Sequence, residues 1–184
     1  MTVKDIIKAS ATLIGRDEIV GQLNGAQPCV EAQRSVDKMV ELLNLVIGEL
    51  YSSYIPLVTS ETVYTSDGRV YYDNLSKSAI KINKVFSAQN VELYFDVRST
   101  YLQTDSGNVT IEYQFVPKKY ALSDTIDYTE KDVPMHALVY GLCAEFCLSE
   151  ARFEQAVAHH KRYVDAISQI VKLKSVNIKE RSWC

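Results

Sequence analysis

Apolar residues recur with helical spacing at both ends of the chain and with alternating spacing in the middle. After Pro28, one stripe of apolar positions has the spacing of a single helix face. Its members are Val36, Met39, Val40, Leu43, Ile47 and Leu50. Shorter patterns predict two earlier helices, at about 3–14 and 17–23. Charged residues lie mostly off these stripes, so the segments are predicted to be amphipathic helices with one buried face.

Between residues 57 and 115 the pattern changes to an alternation of apolar and polar positions. The alternating apolar positions are Ile80, Ile82, Val91, Leu93, Phe95, Val97, Val109, Ile111, Tyr113 and Phe115. Turn residues interrupt the segment at Asp67 and Gly68 and again at 105–108. Alternation with such turns predicts about six antiparallel strands that bury one face of their sheet.

Two further helical stripes follow the alternating segment. The first comprises Met135, Leu138, Val139, Leu142 and Phe146, and the second comprises Phe153, Val157, Val164, Ile167 and Val171. Asp132 is a suitable N-cap for the first of these helices, with Pro134 in its first turn. A single helix from Pro134 to Leu173 would extend about 60 Å, which fits a compact domain poorly. We therefore expect a hairpin of two helices that turns at 148–151.

Together these patterns predict an α+β fold. We expect a helical bundle core, made of the N-terminal helices and the C-terminal helix hairpin, with an inserted antiparallel β-sandwich or barrel-like module. The predicted core comprises residues 1–56 and 117–175, and the inserted module comprises 57–116. Residues 176–184 are predicted to form an extended C-terminal tail.

Composition narrows the class of protein. The chain of 184 residues has 20 Lys and Arg against 23 Asp and Glu, a net charge of −3. A protein that reads nucleic-acid sequence usually has a basic face, so this balance argues against that class. No apolar stretch approaches the roughly 20 residues that span a bilayer, and the first residues form no signal sequence, so we expect a soluble protein without a membrane partner. The four cysteines form no disulfide framework, which favours reduced thiols in a cytoplasm.

One group of residues suggests metal chemistry. Cys143 and Cys147 are four apart on a predicted helix, and His159 and His160 lie on the next helix, so a hairpin could bring zinc ligands together. Both cysteines flank an apolar stripe, however, and free cysteine is often a small core residue. We favour packing over metal binding. No familiar catalytic or nucleotide-binding motif is present, so we expect no cofactor and no enzymatic activity.

Two features indicate interaction surfaces instead. Tyrosines are concentrated in the alternating segment, where strand propensity explains some of them and an interface would explain others. Tyr94 falls on the polar side of its predicted strand and is the better candidate for an interface. The only tryptophan, Trp183, lies one residue from the C-terminus. Because chain ends are usually polar and frayed, we expect this apolar tail to dock on a partner.

The layout also resembles a known family. The resemblance rests on the segment from Asp132 through Pro134 to 137–148, the turn-like residues 149–156, Tyr163, and a tail that ends in Arg181 and Trp183. In these features the chain is similar to the head-to-tail connector, or adaptor, proteins of tailed bacteriophages. It departs from many of them by having Ser182 and Cys184 where a second basic or aromatic residue is common.

The resemblance implies a structural virion protein at the head-tail junction, made in the host cytoplasm during assembly. Neighbouring copies would form a ring, commonly of twelve, with a bore through which DNA passes without sequence-specific binding. The tail would contact the portal protein through Ile178, Lys179, Arg181 and Trp183, and the β module would face a downstream tail protein. Two alternatives remain: a tail-completion or stopper protein at the same junction, and a small metal-dependent enzyme or regulator that uses the Cys and His residues.

Overall fold

The computed structural model describes residues 1–25, 29–126 and 133–175, the last four of them by their backbone alone. Its helices are α1 (Val3–Leu13), α2 (Asp17–Leu23), α3 (Val30–Glu49), α4 (Met135–Ser149) and α5 (Phe153–Ser175). Its strands are β1 (Val58–Thr65), β2 (Arg69–Tyr71), β3 (Ala79–Ser87), β4 (Asp96–Val97), β5 (Tyr101–Gln103) and β6 (Gly107–Phe115). The predicted α+β class is confirmed, and the sheets do not close into a barrel.

The chain packs into two compact units. A helical unit draws on Met1–Ile47 and Lys119–Cys184, and a β unit comprises Gly48–Lys118. The β unit begins at Gly48. The sequence analysis predicted that the inserted module starts at residue 57. The β unit begins earlier because it takes in the end of α3 and the π-helical turn Leu50–Tyr54 that follows.

The first helices of the helical unit begin and end where local chemistry requires. The Thr2 hydroxyl accepts a hydrogen bond from the backbone N–H of Asp5 at 3.1 Å, which satisfies one of the free donors at the start of α1. Gly15 has φ +70, a conformation that ends the helix and that most residues adopt only with strain. The inward face of α1 buries Val3, Ile6, Ile7 and Ala11. The Thr2 cap and the Gly15 stop therefore set the length of the helix.

The C-terminal helices form the predicted hairpin. Ala151 has φ +58 and the backbone N–H of Arg152 donates to the carbonyl oxygen of Cys147 at 2.9 Å, which closes the end of α4. The N-cap of α4 is Pro134, which supplies no side-chain cap, so the prediction of Asp132 as N-cap with Pro134 in the first turn is wrong. At the middle of α4, Gly141 leaves room for two side chains, since a Cβ there would lie 2.7 Å from Cγ1 of Val46 and 3.0 Å from Cε2 of Tyr163. Gly141 therefore allows α3 and α5 to approach α4 closely.

The buried face of α5 differs from the prediction. Four of the five residues of the predicted stripe, Phe153, Val157, Val164 and Val171, are exposed, and only Ile167 is buried. The buried residues of α5 are Ala156, Tyr163, Ala166, Ile167 and Ile170. The reason is the space over Gly141: the Tyr163 ring fills it, so α5 packs with Tyr163 and its small neighbours inward and turns the valines outward.

The β unit consists of two antiparallel three-stranded sheets, in the orders β1-β6-β3 and β2-β5-β4. Residues of both sheets share one apolar core, whose buried members are Val70, Leu75, Val85, Leu102, Val109, Ile111, Tyr113 and Phe115. All four predicted inward positions of β6 are therefore confirmed. The turn at Asp67 and Gly68 leads from β1 in one sheet to β2 in the other.

Two alternating runs were predicted wrongly. Ile80 is exposed because β3 shifts register between Ala79 and Lys81, and such a bulge rotates the intervening side chain out of the alternation. Only Asp96–Val97 of the 91–98 run forms a strand. Val91, outside that strand, and Val97, within it, are both exposed. The partly buried Leu93 and Phe95 still pack against the core.

Candidate functional site

The predicted portal-binding residues Ile178, Lys179, Arg181 and Trp183 lie outside the described residues, so their role stays a prediction. The exposed surface of the described chain offers four other features that bear on function. These are the Tyr94 segment, a tyrosine face on the sheet β2-β5-β4, the free edge of β1 and an apolar face of α5.

Tyr94 projects from the β unit into solvent. Its side chain is 88% exposed, the most of any large apolar residue in the part of the chain that the structure describes. Leu93 and Phe95 on either side pack against the core, and the Thr104 hydroxyl donates to the Tyr94 carbonyl oxygen at 3.3 Å. The neighbouring residues thus anchor the backbone while the ring remains free. Such an anchored, exposed aromatic ring offers contact area at low entropic cost.

The outer face of the sheet β2-β5-β4 carries a second aromatic group. The rings of Tyr71 and Tyr101 lie 5.8 Å apart and are tilted by 54°. The guanidinium of Arg69 lies 5.5 Å from the centre of the Tyr101 ring, within the range of a cation–π contact. Tyrosine and arginine are both enriched at protein interfaces, so this cluster is suited to recognising another protein.

β1 forms a free edge of the sheet β1-β6-β3. Its only strand partner is β6, so the outward backbone groups of the strand receive no strand from the described residues. The other edge, β3, is blunted by two register shifts, by lysines, and by residue Glu92, which bridges to Phe86. β1 has no such protection. An unprotected edge strand can accept a strand from another chain.

Glu61, the only charged residue of β1, serves the fold. Its carboxylate accepts hydrogen bonds from the Ser76 N–H at 3.0 Å, the Ser76 hydroxyl at 2.8 Å and the Tyr113 hydroxyl at 2.9 Å. The Ser76 backbone bond first, and the two hydroxyls with it, lower the pKa of Glu61. The three bonds tie the segment after β2 to β1 and satisfy the hydroxyl of a buried tyrosine.

The fourth feature is the exposed apolar face of α5. We call its four residues, Phe153, Val157, Val164 and Val171, the α5 ridge. Phe153 is 62% and Val157 is 69% exposed. At 100° per residue the four positions fall within about 40° of one another, so they form one straight stripe. The exposed His160 lies on the same face between Val157 and Val164, so the stripe is apolar at both ends and interrupted in the middle. Exposed apolar residues aligned on one face are a feature of interaction sites.

The cysteines that suggested a metal site are core residues. Cys143 and Cys147 are both buried, as the packing interpretation predicts. Burial raises the pKa of Cys143 to about 12, and its thiol faces the Ser10 carbonyl oxygen at 3.6 Å. Burial first, and then the charges of Arg162 and Arg152, lower the pKa of His159. Within the described residues no group of three His, Cys, Asp or Glu side chains could hold a metal ion.

The sequence analysis placed Tyr94 on the exposed side of its segment, as the structure has it, and its role at an interface stays a prediction. It did not anticipate the α5 ridge or the β1 edge. The signal for the ridge was available, because α5 carries a second apolar stripe through Ala156, Tyr163 and Ile170 that one helix–helix contact cannot bury together with the first. The β1 edge depends on strand order, which alternation does not reveal.

Comparisons with known proteins give no assignment. No protein-family profile matches the chain, and no curated protein matches it with significant similarity. Among the described helices, none combines the length and apolarity needed to cross a bilayer.

Proposed function

We propose that the chain is a structural protein of the phage head-tail junction. In this proposal, copies form a ring, with twelve the expected number, that docks on the portal protein through the C-terminal tail. The β unit contacts a downstream tail protein. The protein acts in the virion, after assembly in the host cytoplasm, and catalyses no reaction.

The observation that carries the proposal is the division of the chain into two structural units. A helical unit interrupted by a β unit, with separate exposed surfaces on each, suits a part that must bind several neighbours at once. The layout is also the one for which the sequence resembles phage adaptors. The net charge of −3 is consistent with a bore that passes DNA, because a wall of like charge does not retain the phosphate backbone.

Deletion of the tail tests docking. The portal protein encoded in the same genome is purified as a ring and mixed with the full chain or with a chain lacking Ile178–Cys184. We expect the deletion to abolish co-elution with the portal while far-UV circular dichroism and the melting temperature stay unchanged. Trp183→Ala should weaken binding, whereas Leu148→Ala, at an exposed apolar position of α4, should not. Full binding after the deletion would refute the docking role of the tail.

Tyr94 tests the second side of the junction. Because its ring is exposed, Tyr94→Ala should leave stability within about 0.5 kcal/mol of wild type. It should also leave portal binding intact and reduce capture of the downstream tail protein by tenfold or more. The matched control is Tyr54→Ala, an exposed tyrosine of the same unit that lies outside the four candidate surfaces. Equal loss in both variants would contradict a specific role for Tyr94.

The two alternatives have their own tests. Negative-stain images of the chain mixed with portal separate an adaptor, which binds the portal ring directly, from a stopper, which binds only after another component is present. Elemental analysis of protein purified without chelator tests the metal-dependent enzyme or regulator. Stoichiometric zinc would favour it over the structural role.

A further inference from the structure

The free edge of β1 turns one set of main-chain groups away from the sheet. In the ladder with β6, the N–H of Phe115 donates to the carbonyl oxygen of Leu57 at 3.1 Å, and the strand register places these two residues opposite each other. Such a pair uses its main-chain groups within the ladder, and the next residue of an antiparallel strand turns its groups outward. The register is unbroken along β1. The N–H and carbonyl groups at the free edge therefore belong to Val58, Ser60, Thr62 and Tyr64.

The other edges of the β unit are short or covered. β2 has three residues and β4 has two. At β3 the segment that follows the strand returns along its edge, where the N–H of Leu93 donates to the Val85 carbonyl oxygen at 2.8 Å. β1 has eight residues without proline, glycine or a register shift. Within the described residues no further hydrogen bond reaches its four outward main-chain positions, so an extended chain can bond to them in series.

The charge of Glu61 restricts what can pair with this edge. The antiparallel register that engages all four outward positions of two β1 strands would place Glu61 directly opposite the same glutamate of a second copy. This would be a non-hydrogen-bonded pair, in which side chains lie closest, and like charges directly opposite are destabilising. The hydroxyls of Ser76 and Tyr113 hold the carboxylate on that side of the strand. A second copy therefore fits the edge poorly, and a strand with a basic residue opposite Glu61 fits it well.

We propose that the β1 edge binds an extended segment of a different protein, which joins the sheet as an antiparallel strand and carries a basic residue opposite Glu61. Main-chain hydrogen bonds to the four outward positions hold the segment, and the contact with Glu61 sets its register. The contact needs neither the portal protein nor a ring, so it goes beyond the proposed function and does not depend on it.

Amide hydrogen exchange of the full chain, followed by NMR, tests whether the edge is free. We expect fast exchange at the four outward amides and slow exchange at Thr59, Glu61 and Val63, whose N–H groups bond to β6. Slow exchange of the outward amides at every protein concentration would show that a segment of the same chain covers the edge. Slow exchange only at high concentration would show that a second copy does. Either result would overturn the proposal.

Two synthetic peptides then probe the choice of partner. One has the sequence of residues 58–65 and represents a second copy, and the other carries Glu61→Lys. Because the outward amides exchange only from the unbound chain, the lysine peptide at about ten times its dissociation constant should slow them about tenfold. The native peptide should bind about fivefold more weakly, since it replaces an opposite-charge pair by a like-charge pair. Equal binding of the two peptides, or no slowing by the lysine peptide, would overturn the proposal.

The main-chain contact has its own controls. Thr62→Pro removes an outward N–H that β6 does not use, a position at which edge strands accept proline, so binding of the lysine peptide should weaken about tenfold. Thr62→Val keeps the N–H and loses only the hydroxyl, which lies 2.9 Å from that of Thr110, so it should bind like wild type. Equal loss in both variants would show that the peptide contacts the side chain instead, against the proposal.

A modified peptide gives the same information without any change to the protein. The lysine peptide with every amide methylated has no main-chain donors, and we expect it to leave the exchange of the four outward amides unchanged. This arm decides the point even if Thr62→Pro fails to fold. Slowing by the methylated peptide equal to that by the unmodified one would refute strand addition.

Discussion

The sharpest test of the fold is the substitution Gly141→Ala. The added Cβ would lie 2.7 Å from Cγ1 of Val46 and 3.0 Å from Cε2 of Tyr163. Carbon atoms in contact prefer 3.5–4.0 Å, so both neighbours must move. Both side chains are buried, so neighbouring atoms limit their movement. Val46 is also β-branched, which restricts its rotamers further.

Two opposing effects set the size of the change. Replacing glycine by alanine inside a helix favours folding by about 1 kcal/mol. Overpacking of a core costs about 1–3 kcal/mol. We expect the steric cost to win, with Gly141→Ala less stable than wild type by about 1 kcal/mol.

The control is Gly48→Ala near the end of α3. A Cβ at Gly48 would meet nothing within 4 Å, so only the helix-propensity effect acts there. We expect this variant to be more stable by about 1 kcal/mol. The two substitutions, identical in chemistry, should thus differ in sign and by about 2 kcal/mol.

Urea denaturation followed by far-UV circular dichroism measures both variants against wild type. In a chain of this size, 1 kcal/mol also corresponds to a change in melting temperature of about 2–4 °C. A Gly141→Ala protein as stable as the Gly48→Ala protein would refute the close approach of α3 and α5 over α4.

Three further predictions concern titratable groups. Glu61→Gln should cost about 1 kcal/mol at neutral pH, because a neutral amide is a weaker acceptor for its three donors. The lowered pKa of Glu61 means that its contribution is present above about pH 4.5 and is lost as the pH falls through the folded value, so wild type and variant should converge in acid in pH-dependent urea titrations. Because the pKa of His159 is lowered in the folded chain, the unfolded chain binds a proton first as the pH falls below about 6.5, and the free energy of unfolding should decrease there. His159→Gln should remove this pH dependence, whereas the control His160→Gln should retain it. Timed maleimide labelling with mass spectrometry should modify the exposed Cys29 within minutes and Cys143 only after unfolding, and equal rates would contradict the burial of the thiol.

The sequence predicted the fold class correctly, but it did not predict the buried face of every helix and strand. Helical spacing found α3 and the hairpin of α4 and α5, because burial of one stripe is the dominant local signal. It failed on α5, where two apolar stripes compete and the choice between them depends on the space over Gly141. Alternation found β6, which is buried along its whole inner side, and failed on β3, where a bulge breaks the period. Contacts between distant segments decided each of these cases.

The candidate surfaces divide in the same way. The exposure of Tyr94 could be predicted because it alternates with Leu93 and Phe95, in step with the polar Glu92 and Asp96. For α5, the second apolar stripe through Ala156, Tyr163 and Ile170 indicated that one stripe must stay exposed, but the choice between the two stripes depends on the space over Gly141. The four tail residues Ile178, Lys179, Arg181 and Trp183 remain a prediction that portal binding must test.

The open edge of β1 has a consequence for the chain when it is made in quantity. Six of the eight residues of β1 are Val, Thr or Tyr, which favour strands, and the single charge of the strand is engaged by Ser76. At high concentration such a strand templates cross-β stacking, so precipitates of the isolated protein should be protected from proteolysis first at residues 58–65. A single lysine at Thr62, whose side chain lies on the exposed face, should keep the purified protein in solution for longer.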